Sequence, residues 1–264
     1  MDKSLLIRIF GYRAAFIHGD TAMLDRWNFV KRHMPRTGNG ERVFDVGCGS
    51  GAFTIGLAQR GYEATGLSWD ERNQGVARER AAIAGAAKTE FPIGDARQLD
   101  RIAGHRGRYD YVLSLENIEH ILDDRKLMRD LTDCLKPGGW LVLSTPNKDY
   151  RAITPEDDGP FSTVEDGWHV RRGYTPAMLR ELALGAGLMV EEIGSCTGFL
   201  SQKLTWLFRR GRMFGWALAL PLRVLPPLFD PLIRKLTGYP DFSVTMVAYK
   251  PRFEPSTEER KNDV

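Results

Sequence analysis

The stretch "ERVFDVGCGSGAF", residues 41–53, decides how this chain folds. An apolar run ends in Asp45, glycines follow at 47, 49 and 51, and a helix-type segment starts at Ala52. Glycines between a strand and a helix let the backbone approach a ligand closely, while the first helical amides point outward. The run also satisfies G-x-G-x-x-A, with Ala52 in the last place, so the loop alone leaves the class of nucleotide-like ligand open.

Outward from this loop, β-type runs alternate with helix-type segments. "RVFDV", "YEATGL", "TEFPIG", "YDYVLSL" and "WLVLSTPN" are separated by "GAFTIGLAQRG", "DERNQGVARERAAIAG", a short loop and "DDRKLMRDLTDCLKPGG". Such alternation builds a parallel sheet with helices on both faces, because parallel strands need crossover connections. "LMVEEIG" and "FSVTMVAYK" supply a sixth and a seventh strand. The expected class is therefore α/β, a Rossmann-like doubly wound seven-stranded sheet. "TPAMLRELALGAG" reads as a helix with Thr175 as N-cap and Pro176 in its first turn.

The expected organisation is one domain over 1–252. Residues 1–40 form a helical cap, 195–241 an insertion between strands six and seven, and 253–264 a charged, disordered tail. With 264 residues, 42% apolar, the chain has material for one large core. A net charge of +3 gives no field that would call for a nucleic-acid partner. Cys48, Cys134 and Cys196 are few and far apart, which fits a reducing, cytoplasmic setting and neither a disulfide framework nor a zinc knuckle. "MDKSLLIRIFGYRAAF" is interrupted by Arg8 and Arg13 and reads as no signal peptide.

The insertion is unlike the rest. Between 199 and 238 it carries seven Lys and Arg against Asp230 alone, interleaved with aromatic and aliphatic residues. Its longest uncharged stretch there, Met213 to Leu222, falls well short of the ~20 residues of a spanning helix. Two readings stand. One is an in-plane amphipathic element in peripheral contact with the inner face of a membrane; the other is a helical lid packed over the site.

Asp45 bears on the ligand. S-adenosylmethionine carries an ammonium group that a carboxylate at a strand end can hold, directly or through water. "VFDVGCGSG", "GDARQLD", "LENIEH" and "LKPGGWLVLSTPN" then occur in an order and at a spacing that resemble the class I S-adenosylmethionine-dependent methyltransferases. The resemblance covers about residues 41–195 and implies the last strand inserted antiparallel. It further implies that Gly47, Cys48, Gly49 and Gly51 wrap the methionine moiety, that Asp95 meets the adenine amino group, that Ala96 reads the ring, and that Leu115 lines the site. The family's acid at the end of strand two is missing: Ser68 stands there and Asp70 follows two residues later. Ribose contact falls to Ser68 and Trp69, or to Asp70 through a shifted loop, while Asp70 also suits the N-cap of the next helix.

"ENIEH" puts Glu116, Glu119 and His120 on one face if a helix begins there, which suits either proton abstraction or a divalent cation. The motif is similar to the E-x-x-E-H of the ubiquinone-biosynthesis O-methyltransferases, where the matching residues are implicated in binding magnesium. By the same resemblance, Arg26 in "MLDRWNFV" would meet the methionine carboxylate, and His169 in "DGWHVRRGYTP" matches a histidine after the long loop. The expected activity is O-methylation of a small or lipid-linked acceptor, quinone-like, lipid or glycan precursor, with His120 as base. A non-catalytic cofactor-binding or membrane-adaptor protein and an NAD-dependent oxidoreductase are the alternatives.

Overall fold

In the computed structural model, residues 19–35 and 38–252 are described, apart from the side chains of 212, 213 and 216. The expected tail, the first 18 residues of the helical cap and the Trp216 side chain lie outside the described residues.

Helix α1, Thr21–His33, starts where the Asp20 side chain accepts the Met23 amide at 2.9 Å, and ends in Lys31, Arg32 and His33, which complement the helix dipole. It leads into β1, Arg42–Val46, which pairs in parallel with β2, Glu63–Leu67, on one side and with β4, Tyr109–Leu115, on the other. With neighbours on both edges and helices on both faces, residues 43–46 of β1 are buried throughout. The first crossover is α2, Ala52–Ala58; α3, Glu71–Ile83, follows β2, and the short β3, Thr89–Glu90, closes that edge.

The chain then crosses to the other side of β1. It continues through β4, α4 (Asp124–Cys134), β5 (Leu135–Pro146), α5 (Pro176–Gly185) and β6 (Met189–Cys196). The final strand β7, Ser243–Tyr249, inserts antiparallel between β5 and β6, giving the order β3-β2-β1-β4-β5-β7-β6. The expected sheet, with its antiparallel last strand, is the one observed. "LKPGG" opens β5 and does not prolong the helix before it. Because strand order reverses between β1 and β4, the loops leaving their carboxyl ends face each other across a crevice, where open α/β sheets place their ligands.

The insertion folds as a helical hairpin, α6 (Phe199–Leu222) and α7 (Pro226–Thr237). Asp230 of α7 holds it together, accepting the Leu200 amide at 2.7 Å and the Ser201 amide at 3.2 Å, so that one helix caps the other. Gly198 is needed there, since a Cβ would stand 2.5 Å from that of Asp230. Arg223 is buried and donates to the Gly19 carbonyl, and the Ser201 hydroxyl donates to Asp25 of α1. Arg209 pairs with Asp20 at 3.6 Å and with Asp157 in the loop after β5 at 3.2 Å. Replacing Asp230 by Ala removes the acceptors for two amides, and the expected loss is about 1 kcal/mol, read as a lower urea midpoint at unchanged slope.

Candidate functional site

The loop after β1 is shaped by backbone. Gly47, Gly49 and Gly51 have φ of 85°, 52° and 76°, a region that L side chains rarely enter. Gly47 and Cys48 both donate their amides to the Leu67 carbonyl at 3.0 Å, tying the loop to the end of β2. A Cβ at 47 would lie 2.7 Å from the Asn117 side chain, and one at 51 would lie 2.9 Å from Ala77. At Gly49 a Cβ would meet only open space, so the cradle expected from the sequence has an open middle and closed ends.

Asp45 lies beneath it, buried, accepting the Thr54 hydroxyl at 2.7 Å. Burial pushes its carboxyl up to about 6, with the Thr54 bonds opposing. The carboxylate is therefore kept at a cost in stability.

Around the crevice, Ser68 follows β2, bridges to Ile93 and accepts the Asp70 amide on its hydroxyl at 3.2 Å; Trp69 beside it is exposed. Asp70 is the N-cap of α3, accepting the amides of Arg72 at 2.9 Å and Asn73 at 3.2 Å, so the shifted-loop ribose contact has no free carboxylate behind it. Asp95 caps the 3₁₀ turn Ala96–Arg101 and is gripped by Arg97, whose Nε stands 2.9 and 2.8 Å from its two oxygens. That grip holds the Asp95 carboxyl below the usual range. Arg97 also reaches Glu165 of the long loop at 3.2 Å.

At the end of β4 the sequence expectation needs correcting. After the buried Leu115, "ENIEH" begins no α-helix: Glu116 has φ of 50°, and only Ile118–His120 form a single 3₁₀ turn. The cause is a backbone bond that prolongs the sheet ladder, from the Glu116 amide to the Ser144 carbonyl at 2.8 Å. The acids come together regardless, through a sharp bend. Glu116 accepts the hydroxyls of Ser144 at 2.9 Å and Ser243 at 3.2 Å, and its other oxygen lies 3.9 Å from Arg26. Arg26 thus faces Glu116 from α1. Glu119 is fully buried and accepts the Thr145 hydroxyl at 3.0 Å; burial, then the neighbouring Glu116, raises its carboxyl well above the usual range.

His120 and His169 stand edge to face, ring centres 4.6 Å apart. Burial lowers both imidazoles, and each carries the neutral form as its resting state at pH 7. The Val170 amide donates to the Glu119 carbonyl at 2.9 Å, pinning the long loop next to the turn. Among the described residues, Glu119, His120 and His169 offer ligand atoms within 4.8 Å of one another, a grouping that has His169 where Glu116 was expected. Glu119 Oε1 and His120 Nδ1 are buried without a hydrogen-bond partner among the described residues, which fits a cation at that point. Beside His169, between the long loop and α6, opens a cleft of about 440 Å³ lined by Asp157, Phe161, Trp168, Arg209 and Arg210.

Sequence reasoning missed Asn117, Ser144, Thr145 and Ser243, the residues that set the bend and hold its acids. Thr145 and Ser144 lie in the quoted "LSTPN" but read there as strand; Ser243 is brought in by β7, and no local signal marks it.

Residues 21–193 match the profile of a methyltransferase-domain family. Ubiquinone biosynthesis O-methyltransferase of Marinobacter nauticus is 30% identical over 191 residues, covering 71% of this chain and 78% of that one. The Azoarcus enzyme of the same name is 33% identical, covering 66% and 73%. Among solved structures, phosphoethanolamine N-methyltransferase 2 of Haemonchus contortus, in complex with S-adenosylmethionine, superposes with a TM-score of 0.63 at 19% identity, over 92% of this chain and 56% of that one. An S-adenosylmethionine-dependent methyltransferase from Mesorhizobium loti gives 0.59 at 19%, over 89% and 100%.

Native Asp45 keeps its proton to about pH 6, whereas an ordinary Asp releases it near 3.8. Between those values the folded state binds more protons, so this residue's contribution to stability falls as pH rises and stays low at pH 7. Asp45→Asn is expected to raise unfolding free energy at pH 7 by up to about 3 kcal/mol, to leave it unchanged near pH 4, and to weaken S-adenosylhomocysteine binding. Urea unfolding at both pH values and calorimetry check this.

Proposed function

The chain belongs to the class I S-adenosylmethionine-dependent methyltransferases, and from that premise we propose that it methylates an oxygen of a small or lipid-linked acceptor. A quinone-like, lipid or glycan-precursor hydroxyl is the expected target. The observation that carries this reading is the meeting, at one end of β1 and β4, of the open glycine cradle with the pair His120 and His169. The names of the ubiquinone-pathway relatives support oxygen and a quinone-like ring. The NAD-dependent alternative is set aside by the family match and by the use of Asp70 as a helix cap. Family membership also sets aside a non-catalytic adaptor.

In this reading Gly47, Cys48, Gly49 and Gly51 hold the methionine part of the donor, with Asp45 below its ammonium group and Arg26 toward its carboxylate. Ser68 and Trp69 flank the ribose, Asp95 and Ala96 the adenine, and Leu115 the floor. The donor supplies an activated methyl group on a sulfonium. His120 takes the proton of the acceptor hydroxyl on a ring nitrogen, and the acceptor oxygen forms the new C–O bond in line as the C–S bond opens. His169 orients His120, and Glu116 orients Arg26.

A divalent cation such as magnesium is the alternative to His120 as base, and it is supported by Glu119 Oε1 and His120 Nδ1, buried with no hydrogen-bond partner among the described residues. Glu119, His120 and His169 would hold it, with Glu116 adjacent, and it would lower the pKa of the acceptor hydroxyl. Among the described residues no helix is long and apolar enough to cross a membrane. We place the protein in the cytoplasm, with residues 199–238 in peripheral membrane contact.

Labelled S-adenosylmethionine incubated with a lipid extract tests the function; absence of any labelled product, together with no S-adenosylhomocysteine binding, overturns it. His120→Gln is expected to lower kcat by about 10²–10⁴ while S-adenosylhomocysteine affinity is kept. The acidic limb of the kcat/KM profile should lie below pH 6.5, because burial lowers the imidazole. Calorimetric titration with magnesium tests the cation: binding in the intact protein that is lost in Glu119→Gln supports it, and no heat in either removes it.

A further inference from the structure

Each helix of the α6–α7 hairpin leaves one side uncovered. On α6, Lys203, Trp206, Arg210, Phe214 and Leu218 fall on one side of the helix, and all are exposed, Phe214 to 79%. The opposite side, with Leu204, Thr205 and Ala219, is buried. On α7, Leu228, Leu232 and Leu236 recur every fourth residue at 70, 52 and 74% exposure, with Lys235 next to them. A soluble surface scatters its apolar residues singly; this one gathers them on two consecutive helices.

Charge decides what fits the face. The segment's single carboxylate, Asp230, is turned inward as the cap of α6 and is buried, so the exposed face carries cations and no acid. Not all the basic residues belong to it. Arg223 is internal, Arg209 is engaged with Asp20 and Asp157, and Arg234 with Asp241 at 2.6 Å. Lys203 and Lys235 are left on the exposed side, with Arg210 at its edge, where the cleft also brings Glu156 near. A second copy meeting this face with its own would bring like charges together. A surface of anionic lipid headgroups above an apolar layer satisfies both halves of the pattern, with rings and leucines in the boundary and cations at the phosphates.

We infer that the α6–α7 hairpin lies flat on an anionic bilayer through Trp206, Phe214, Leu218, Leu228, Leu232 and Leu236, with Lys203, Arg210 and Lys235 on the headgroups. This rests on the lipid-linked acceptor reading and sharpens it. Arg210 lines the cleft beside His169 and is flanked four residues either way by the exposed Trp206 and Phe214, so cleft and docking face share a border. An amphiphilic acceptor reaches the His120 and His169 pair along that border without leaving the interface.

The test is co-sedimentation of the full chain with phosphatidylcholine vesicles with and without phosphatidylglycerol, at low and high salt. The intact protein should pellet with the anionic vesicles only, and less at high salt. Lys203→Glu with Lys235→Glu should cut the partition coefficient at least about fivefold per site, and Leu228→Ser with Leu232→Ser and Leu236→Ser at least about tenfold. Retained S-adenosylhomocysteine binding certifies that each variant is folded. Equal partition of intact protein and both variants, or a dimer in sedimentation velocity that the leucine variant dissolves, overturns the inference. Methyl transfer without vesicle binding retires the docking face and leaves the methyltransferase reading standing; vesicle binding without cofactor binding does the reverse.

Discussion

A side chain at position 47 would collide with Asn117, and the site depends on that closeness. Residue 47 follows β1 and residue 117 follows β4, the two strands between which the sheet's order reverses. Parallel pairing puts both ends on one edge, but only a left-handed glycine lets the two loops touch. From that contact the turn after β4 inherits its direction, and with it the positions of Glu116, Glu119 and His120. The glycine cradle and the cluster of acids and imidazoles are thus two sides of one backbone junction.

Such a junction is not built for stability. Asp45 and Glu119 are buried carboxyls with raised pKa values, and the buried atoms Glu119 Oε1 and His120 Nδ1 have no hydrogen-bond partner among the described residues. A core of apolar residues would fill that volume at lower free energy. Unpaired polarity concentrated where two loops meet marks a place that function maintains. The surrounding hydroxyls of Thr54, Ser144, Thr145 and Ser243 each satisfy one oxygen of an acid, and the second oxygen of Glu116 faces Arg26.

Much of this was legible in the chain because it depends on local pattern. Strand runs alternating with helical runs gave the seven strands and their class, and the glycine spacing at 47, 49 and 51 gave the cradle. "ENIEH" shows the limit of such reading. Its spacing suits a helix, but the Glu116 amide has a better partner in β5, 28 residues away, and tertiary pairing overrides the local period. Ser243 shows another limit, since an antiparallel strand inserted last brings it to Glu116 from 127 residues off. The basic count of 199–238 overstated the charge at the surface, because composition cannot distinguish Arg223, which is buried, from Lys203, which is not.

Arg209 has a consequence for motion. One guanidinium joins the start of α1, the loop carrying His169 and the middle of α6, segments that are far apart in sequence. Its own side chain is about one-third exposed, and exposed ion pairs of this kind contribute roughly 0.2–1 kcal/mol each. Both can therefore be broken by thermal fluctuation alone, with no helix unwound and no strand unzipped. Arg209 thus ties three segments around the cleft through contacts that ordinary loop motion can break and remake.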